Sequence, residues 1–165
     1  MLSDYVVKGK LGDRVNLAYV KSSDQVTAIK CFAKSKIDDD NFQYVLVEKR
    51  VRKHTCVNRA DTILKKILLT STSQYIPKLL STFETDDTFY MALQFIPGGD
   101  MYYHLSTNDA MMSNGDGIRF YAAQICQAIR YLHSMSVIYR NLKPESVMIC
   151  QRGDIKLIDF SISKV

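Results

Sequence analysis

No apolar run in this 165-residue chain approaches the ~20 positions a membrane-crossing helix needs, so no spanning segment and no membrane partner are expected. Met1-Leu2-Ser3-Asp4 opens without the basic flank and apolar stretch of a secretory leader. Cys31, Cys56, Cys126 and Cys150 form no C-x-x-C pair, and His54, His104 and His133 complete no metal-ligand spacing. The thiols therefore read as buried or idle groups of a reducing compartment, and the expected location is cytoplasmic. Internal repeats and low-complexity linkers are missing. Charge of one sign is not blocked either. The formal net charge is +5, and the cluster Lys49-Arg50-Val51-Arg52-Lys53 reads as a solvated helix face rather than a nucleic-acid surface.

What is there is globular. Hydrophobic residues make up 47% of the chain and charged residues 24%, enough for an ordinary core. Residues 5–8, 14–20 and 26–32 are β-branched and aromatic runs separated by Gly or Ser-Ser-Asp turns, and read as strands. Asn41 reads as the cap of a helix over 41–56, and residues 60–69 as a second helix. Two strands follow near 78–83 and 88–94 before Pro97-Gly98-Gly99 breaks the pattern. Ser113 and Asp116 are spaced as a capping box, and Ile118, Ala122, Ile125, Ile129 and Leu132 repeat at helical intervals beyond it. Two short strands, 147–150 and 155–158, flank the turn Gln151-Arg152-Gly153-Asp154.

Six segments stand in a telling order: Thr27-Ala28-Ile29-Lys30, Val47-Glu48-Lys49-Arg50, Phe95-Ile96-Pro97-Gly98-Gly99-Asp100-Met101, Arg119-Phe120-Tyr121-Ala122-Ala123-Gln124-Ile125, Tyr139-Arg140-Asn141-Leu142-Lys143-Pro144-Glu145-Ser146, and Asp159-Phe160. Over nearly the whole chain they resemble a protein kinase of the AGC group, closest to its cyclic-nucleotide-dependent Ser/Thr branch. The resemblance implies an α+β, two-lobed fold. A complete N-lobe would span 1–96, with an insertion at about 56–74. Only the first part of a C-lobe would follow, over 97–165, ending just after the Asp159-Phe160-Ser161 motif. It also implies roles. Lys30 would bridge the α- and β-phosphates of ATP and pair with Glu48, and Lys143 would lie near the transferred phosphate. Asp159 would hold magnesium, a hard ion that takes oxygen ligands. Val15, Ala28 and Met148 would line adenine, with Leu93 as gatekeeper and backbone groups of Gln94 and Ile96 at the adenine edge. The same apolar side chains also suit a core with no ligand. Asp100 and Glu145 match acidic positions facing ribose and substrate arginines.

The departures from that pattern bear on function. A kinase catalytic loop carries an Asp base and a magnesium-binding Asn, and here Asn141 and Ser146 stand in those places. A carboxamide takes up no proton near neutral pH. Losing a general base alone costs a factor on the order of 10²–10⁴, or roughly 3–5 kcal/mol of barrier. Lys8, Lys10 and Asp13 occupy the three positions of the Gly-rich loop, and Gly9 and Gly12 lie one residue out of phase. Side chains there block the close approach of backbone amides to phosphate. Ser161 replaces the glycine after Phe160, and Arg52 stands where an apolar residue would stack with Leu79, Tyr139 and Phe160.

The expected function is thus a catalytically inactive kinase-like domain, a pseudokinase acting as a binding or regulatory module. ATP binding would be weak or absent and magnesium binding is in question, with a protein partner covering the surface that the missing C-lobe helices would cover. Two alternatives stay open: a fragment of a divergent ATP-dependent Ser/Thr kinase, and a decayed remnant without function.

Overall fold

The computed structural model describes residues 2–33, 73–107, 114–160 and 162–164. The helices expected over 41–56 and 60–69, with Glu48 and Arg52, lie outside the described residues, as does Ser113. The chain divides into two compact units, Met1–Asp61 with Lys78–Phe95, and Thr62–Pro77 with Ile96–Val165.

The first unit is an antiparallel sheet of five strands: β1 (Tyr5–Gly12), β2 (Val15–Val20), β3 (Val26–Ala33), β4 (Leu79–Glu84) and β5 (Thr88–Gln94), in the order β1-β2-β3-β5-β4. Residues directly opposite in such a sheet share a face. Ala18, Ile29 and Ala92 point to one face and are at most 1% exposed, with Tyr5, Cys31, Phe83 and Tyr90 packed around them. β1 and β4 are the two rims of the sheet, yet Tyr5 stacks on Phe83 at 5.1 Å and Phe83 on Tyr90 at 5.1 Å. The Tyr5 hydroxyl also lies 2.6 Å from Ser81 Oγ. Strand twist has coiled the sheet until its rims meet through side chains.

β1 is longer than expected. It continues past Lys8 to Gly12, paired with β2 through Gly12 opposite Val15, with register shifts between Val7 and Gly9 and between Lys10 and Gly12. These bulges absorb Lys8 and Leu11 without ending the ladder. A Cβ added at Gly9 or Gly12 would meet nothing within 4 Å.

In the second unit, α1 (Met101–Thr107) and α2 (Gly115–Ser134) accompany a hairpin of β6 (Val147–Ile149) and β7 (Ile155–Leu157). The helix α1 was not expected from the sequence. Asp100 caps it, accepting from the Tyr103 amide at 2.8 Å. Asn114 caps α2: its extended backbone (φ −109°) brings its side chain to accept from Asp116 N at 3.0 Å. Asp116 pairs with Arg119, 3.0 Å away. Ala128 and Leu132 of α2 are fully buried with Val137, Tyr139, Val147, Ile155, Leu157 and Phe160. The expected apolar stripe is buried only toward the C-terminal end of α2, for Ile118 remains 45% exposed. Gln124 enters the core because its Oε1 accepts from the Ile155 amide at 3.1 Å.

The Pro-Gly-Gly break has a steric cause. Gly99 has φ +75°, and a Cβ at Gly98 would lie 2.2 Å from the Ile149 carbonyl oxygen. The neighbouring Ile149 amide donates to Gly99 O at 2.8 Å, so the two main chains are held together at contact distance. Gly98→Ala is expected to destabilise the chain by about 1–3 kcal/mol through overpacking. Gly9→Ala is expected to stay within about 0.5 kcal/mol of the parent. Urea unfolding midpoints compared at equal slope check both values.

Candidate functional site

Four of the residues assigned by resemblance to nucleotide contact converge on one face of the first unit's sheet. Val15 pairs with Lys30, and Ala28 with Leu93, in unbroken register. Val15, Ala28, Lys30 and Leu93 therefore share the face opposite the Ala18–Ile29–Ala92 core. The Lys30 ammonium lies 5.6 Å from the Phe32 ring centroid, and the Arg14 guanidinium carbon lies 6.0 Å from the same ring. Gln94 N donates to Lys78 O at 2.8 Å, and Leu93 O accepts from Thr27 Oγ1 at 2.9 Å. Ile96, Asp100, Asn141, Lys143, Ser146, Met148 and Asp159 belong to the second unit. Glu48 is outside the described residues.

In the second unit two stretches are laced together. The amide of Ile138 donates to Lys164 O at 2.7 Å and that of Lys164 to Ile138 O at 2.9 Å. Tyr139 donates its hydroxyl to Ile158 O, Ser163 Oγ donates to Tyr139 O at 2.9 Å, and Arg140 Nε donates to Ile162 O at 2.5 Å. Asn141 Nδ2 donates to Asp159 O at 2.9 Å and to Asp159 Oδ2 at 3.1 Å. Both Arg140 (φ 60°) and Asp159 (φ 58°) hold left-handed backbone, an arrangement non-glycine residues adopt only when their surroundings enforce it. The lacing supplies that enforcement. Phe160 is buried and meets Tyr139 edge-on, with centroids 5.3 Å apart.

Lys143 opens the single turn Pro144–Ser146, and its side chain is exposed. Ser146 is 1% exposed. Its hydroxyl lies 2.5 Å from Asn141 O and 2.8 Å from Lys143 O, either of which can accept its proton, and it accepts from the Lys143 amide at 3.1 Å. Met148 pairs with Lys156 across the hairpin and bridges to Asp100.

These contacts test the fit of magnesium. The resemblance assigns it Asp159 and the position of Ser146. Here Asp159 Oδ2 takes an amide hydrogen, and the Ser146 oxygen is turned into its own loop. Among the described residues no three His, Cys, Asp or Glu gather as a metal site. The donor set does not fit a divalent cation held as in the kinase pattern.

Sequence reasoning passed over Lys156. It is 8% exposed, and its ammonium donates to Gln74 O at 2.6 Å and Ile76 O at 3.1 Å. Leu157 N donates to Tyr75 O at 2.8 Å. A lone lysine between Ile155 and Leu157 in an apolar strand was the available signal. Burial pushes the Cys31 and Cys150 thiols above their ordinary range, which makes them poor nucleophiles.

The profile of the protein kinase domain family matches residues 5–165, and the chain belongs to that family. It is 34% identical over 157 residues to the serine/threonine-protein kinase Sgk1 of Gallus gallus, an AGC kinase, covering 95% of this chain and 32% of that one. It is also 34% identical to the serine/threonine-protein kinase nrc-2 of Neurospora crassa, covering 95% of this chain and 23% of that one. The protein kinase C delta type of Mus musculus is 34% identical over 158 residues, covering 95% and 21%. The chain spans about a third of the Sgk1 length and less of the others. Its fold is the five-stranded N-lobe sheet of a kinase with part of a C-lobe. Among the described residues no helix is long and apolar enough to cross a membrane.

Tyr139 offers a test of the lacing. Burial, ahead of the Asp159 charge, pushes its phenol from 10.0 up to about 12. The folded state thus favours the neutral form, and that stabilisation is complete below pH 10 and lost as pH rises through about 12. Unfolding free energy measured across that window should fall for the parent chain. Tyr139→Phe should start lower, having lost a hydrogen bond, and show a flatter alkaline slope.

Proposed function

We propose that the chain is a non-catalytic member of the kinase family, a binding or regulatory module that does not transfer phosphate. Asn141 carries this reading: at the base position it presents N–H groups to Asp159, and a carboxamide cannot take the proton of an incoming hydroxyl. Nucleotide affinity is weak and largely independent of magnesium, or absent. The apolar face with Val15, Ala28 and Leu93 remains for adenine, whereas Lys8, Lys10 and Asp13 stand where glycines would let amides reach phosphate. Asp13 adds a negative charge beside negative oxygens.

The module acts through a protein partner seated on the second unit. Ile118, Phe120, Ile138, Leu142 and Ile162 are each 45–56% exposed there, and apolar side chains in such numbers suit association. The cytoplasm is the proposed location, on the reading of the thiols as reduced.

A second reading keeps the chain as part of an ATP-dependent Ser/Thr kinase. It is favoured by the left-handed backbone of Arg140 and Asp159, a constrained arrangement of the kind that clusters at working sites, and by the presence of Lys30. Radiolabelled phosphate transfer to a basic peptide separates the two. The first reading expects no turnover above a Lys30→Ala control, and the second expects turnover that this control abolishes. A thermal-shift titration with ATP should give little stabilisation, equal with and without magnesium. A large magnesium-dependent shift would count against the non-catalytic reading.

A further inference from the structure

The misfit between Asp159 and a cation has a specific form. Asn141 Nδ2 carries two hydrogens, and two acceptors of Asp159, the main-chain carbonyl at 2.9 Å and carboxylate Oδ2 at 3.1 Å, lie in reach of them. Aspartate has nearly the same shape as asparagine. In this geometry it would bring a carboxylate oxygen to about 3 Å from a second carboxylate and a carbonyl, a repulsive cluster in a partly enclosed site unless a cation intervenes. The Ser146 hydroxyl, buried at 1% and 2.5 Å from Asn141 O, braces the residue from its main-chain side.

We propose that the Asn141 carboxamide stands in for the divalent cation: it holds Asp159 in its left-handed conformation, and so keeps the 138–141 and 158–164 stretches joined with no metal bound. This deepens the reading of Asn141 as a residue without base chemistry and makes it a positioning residue. A hydrogen bond to a charged acceptor is among the stronger ones, which suits the task. The lock needs an acceptor on residue 159 but no metal ligand there.

The test is thermal unfolding of the whole chain without nucleotide, in chelator and then with magnesium or manganese, beside manganese binding followed by electron paramagnetic resonance. The parent chain should melt at the same temperature in all three solutions and bind no manganese. N141D should melt roughly 3–10 °C lower in chelator, recover when manganese is added, and bind the ion. N141L should melt lower and not respond. A parent chain that is stabilised by either ion, or an N141D as stable as the parent in chelator, overturns the proposal. Should N141D not fold in any solution, D159N and D159L decide. Asn at 159 still offers the amide an acceptor, so D159N should melt above D159L, and equal losses overturn the lock. Because no nucleotide is present, a failure here leaves the non-catalytic reading intact, and phosphate transfer by the parent chain would leave the lock intact.

Discussion

The second unit depends on hydrogen bonds that run sideways between two stretches, 138–141 and the described residues of 158–164. Ladder bonds join β6 and β7, and Ile158 N donates to Ser146 O at 2.9 Å just beyond them, but the described residues of the two stretches form no regular strand. Their polar groups are met instead by the bridge of Ile138 with Lys164 and by the side chains of Tyr139, Arg140, Asn141 and Ser163. Buried main-chain groups left without partners would be costly. The same lacing holds two residues in left-handed backbone. Kinase architecture here survives the exchange of its chemical residues because the architecture rests on these contacts, and Asn141 donates hydrogen bonds to Asp159 that a carboxylate could not.

Chemical identity and structural duty are thereby separable along one short segment. Arg140, Leu142, Lys143, Pro144 and Glu145 follow the kinase pattern while positions 141 and 146 do not. Ser146 is smaller than the residue the pattern calls for, and its hydroxyl has been drawn into closing the turn, with Asn141 O and Lys143 O both near it.

Much of this was legible in the sequence. The β-branched and aromatic runs marked the five strands, and the six ordered segments marked the family. Other features were hidden for physical reasons. β1 was expected to stop at Lys8, because a break in alternation looks like an end, whereas bulges carried the pairing on to Gly12. The seven-residue α1 is too short for a helical period to show, and Tyr102 and Tyr103 on it are exposed. Gln124 and Lys156 look like surface residues until their partners, main-chain atoms 31 and 80 or more positions away, are in view. Asn141 was legible as an absence of base chemistry. Its bond to Asp159 was not, since that depends on the backbone angle of a residue 18 positions on.

The approach of Gly98 to Ile149 has an evolutionary corollary. Crowding between two side chains can be relieved by trimming the neighbour, so such positions drift in compensating pairs. The atom facing Gly98 is a carbonyl oxygen, and every amino acid has one. No second-site suppressor at position 149 can make room, so descendants of this chain can escape glycine at 98 only by displacing the strand itself.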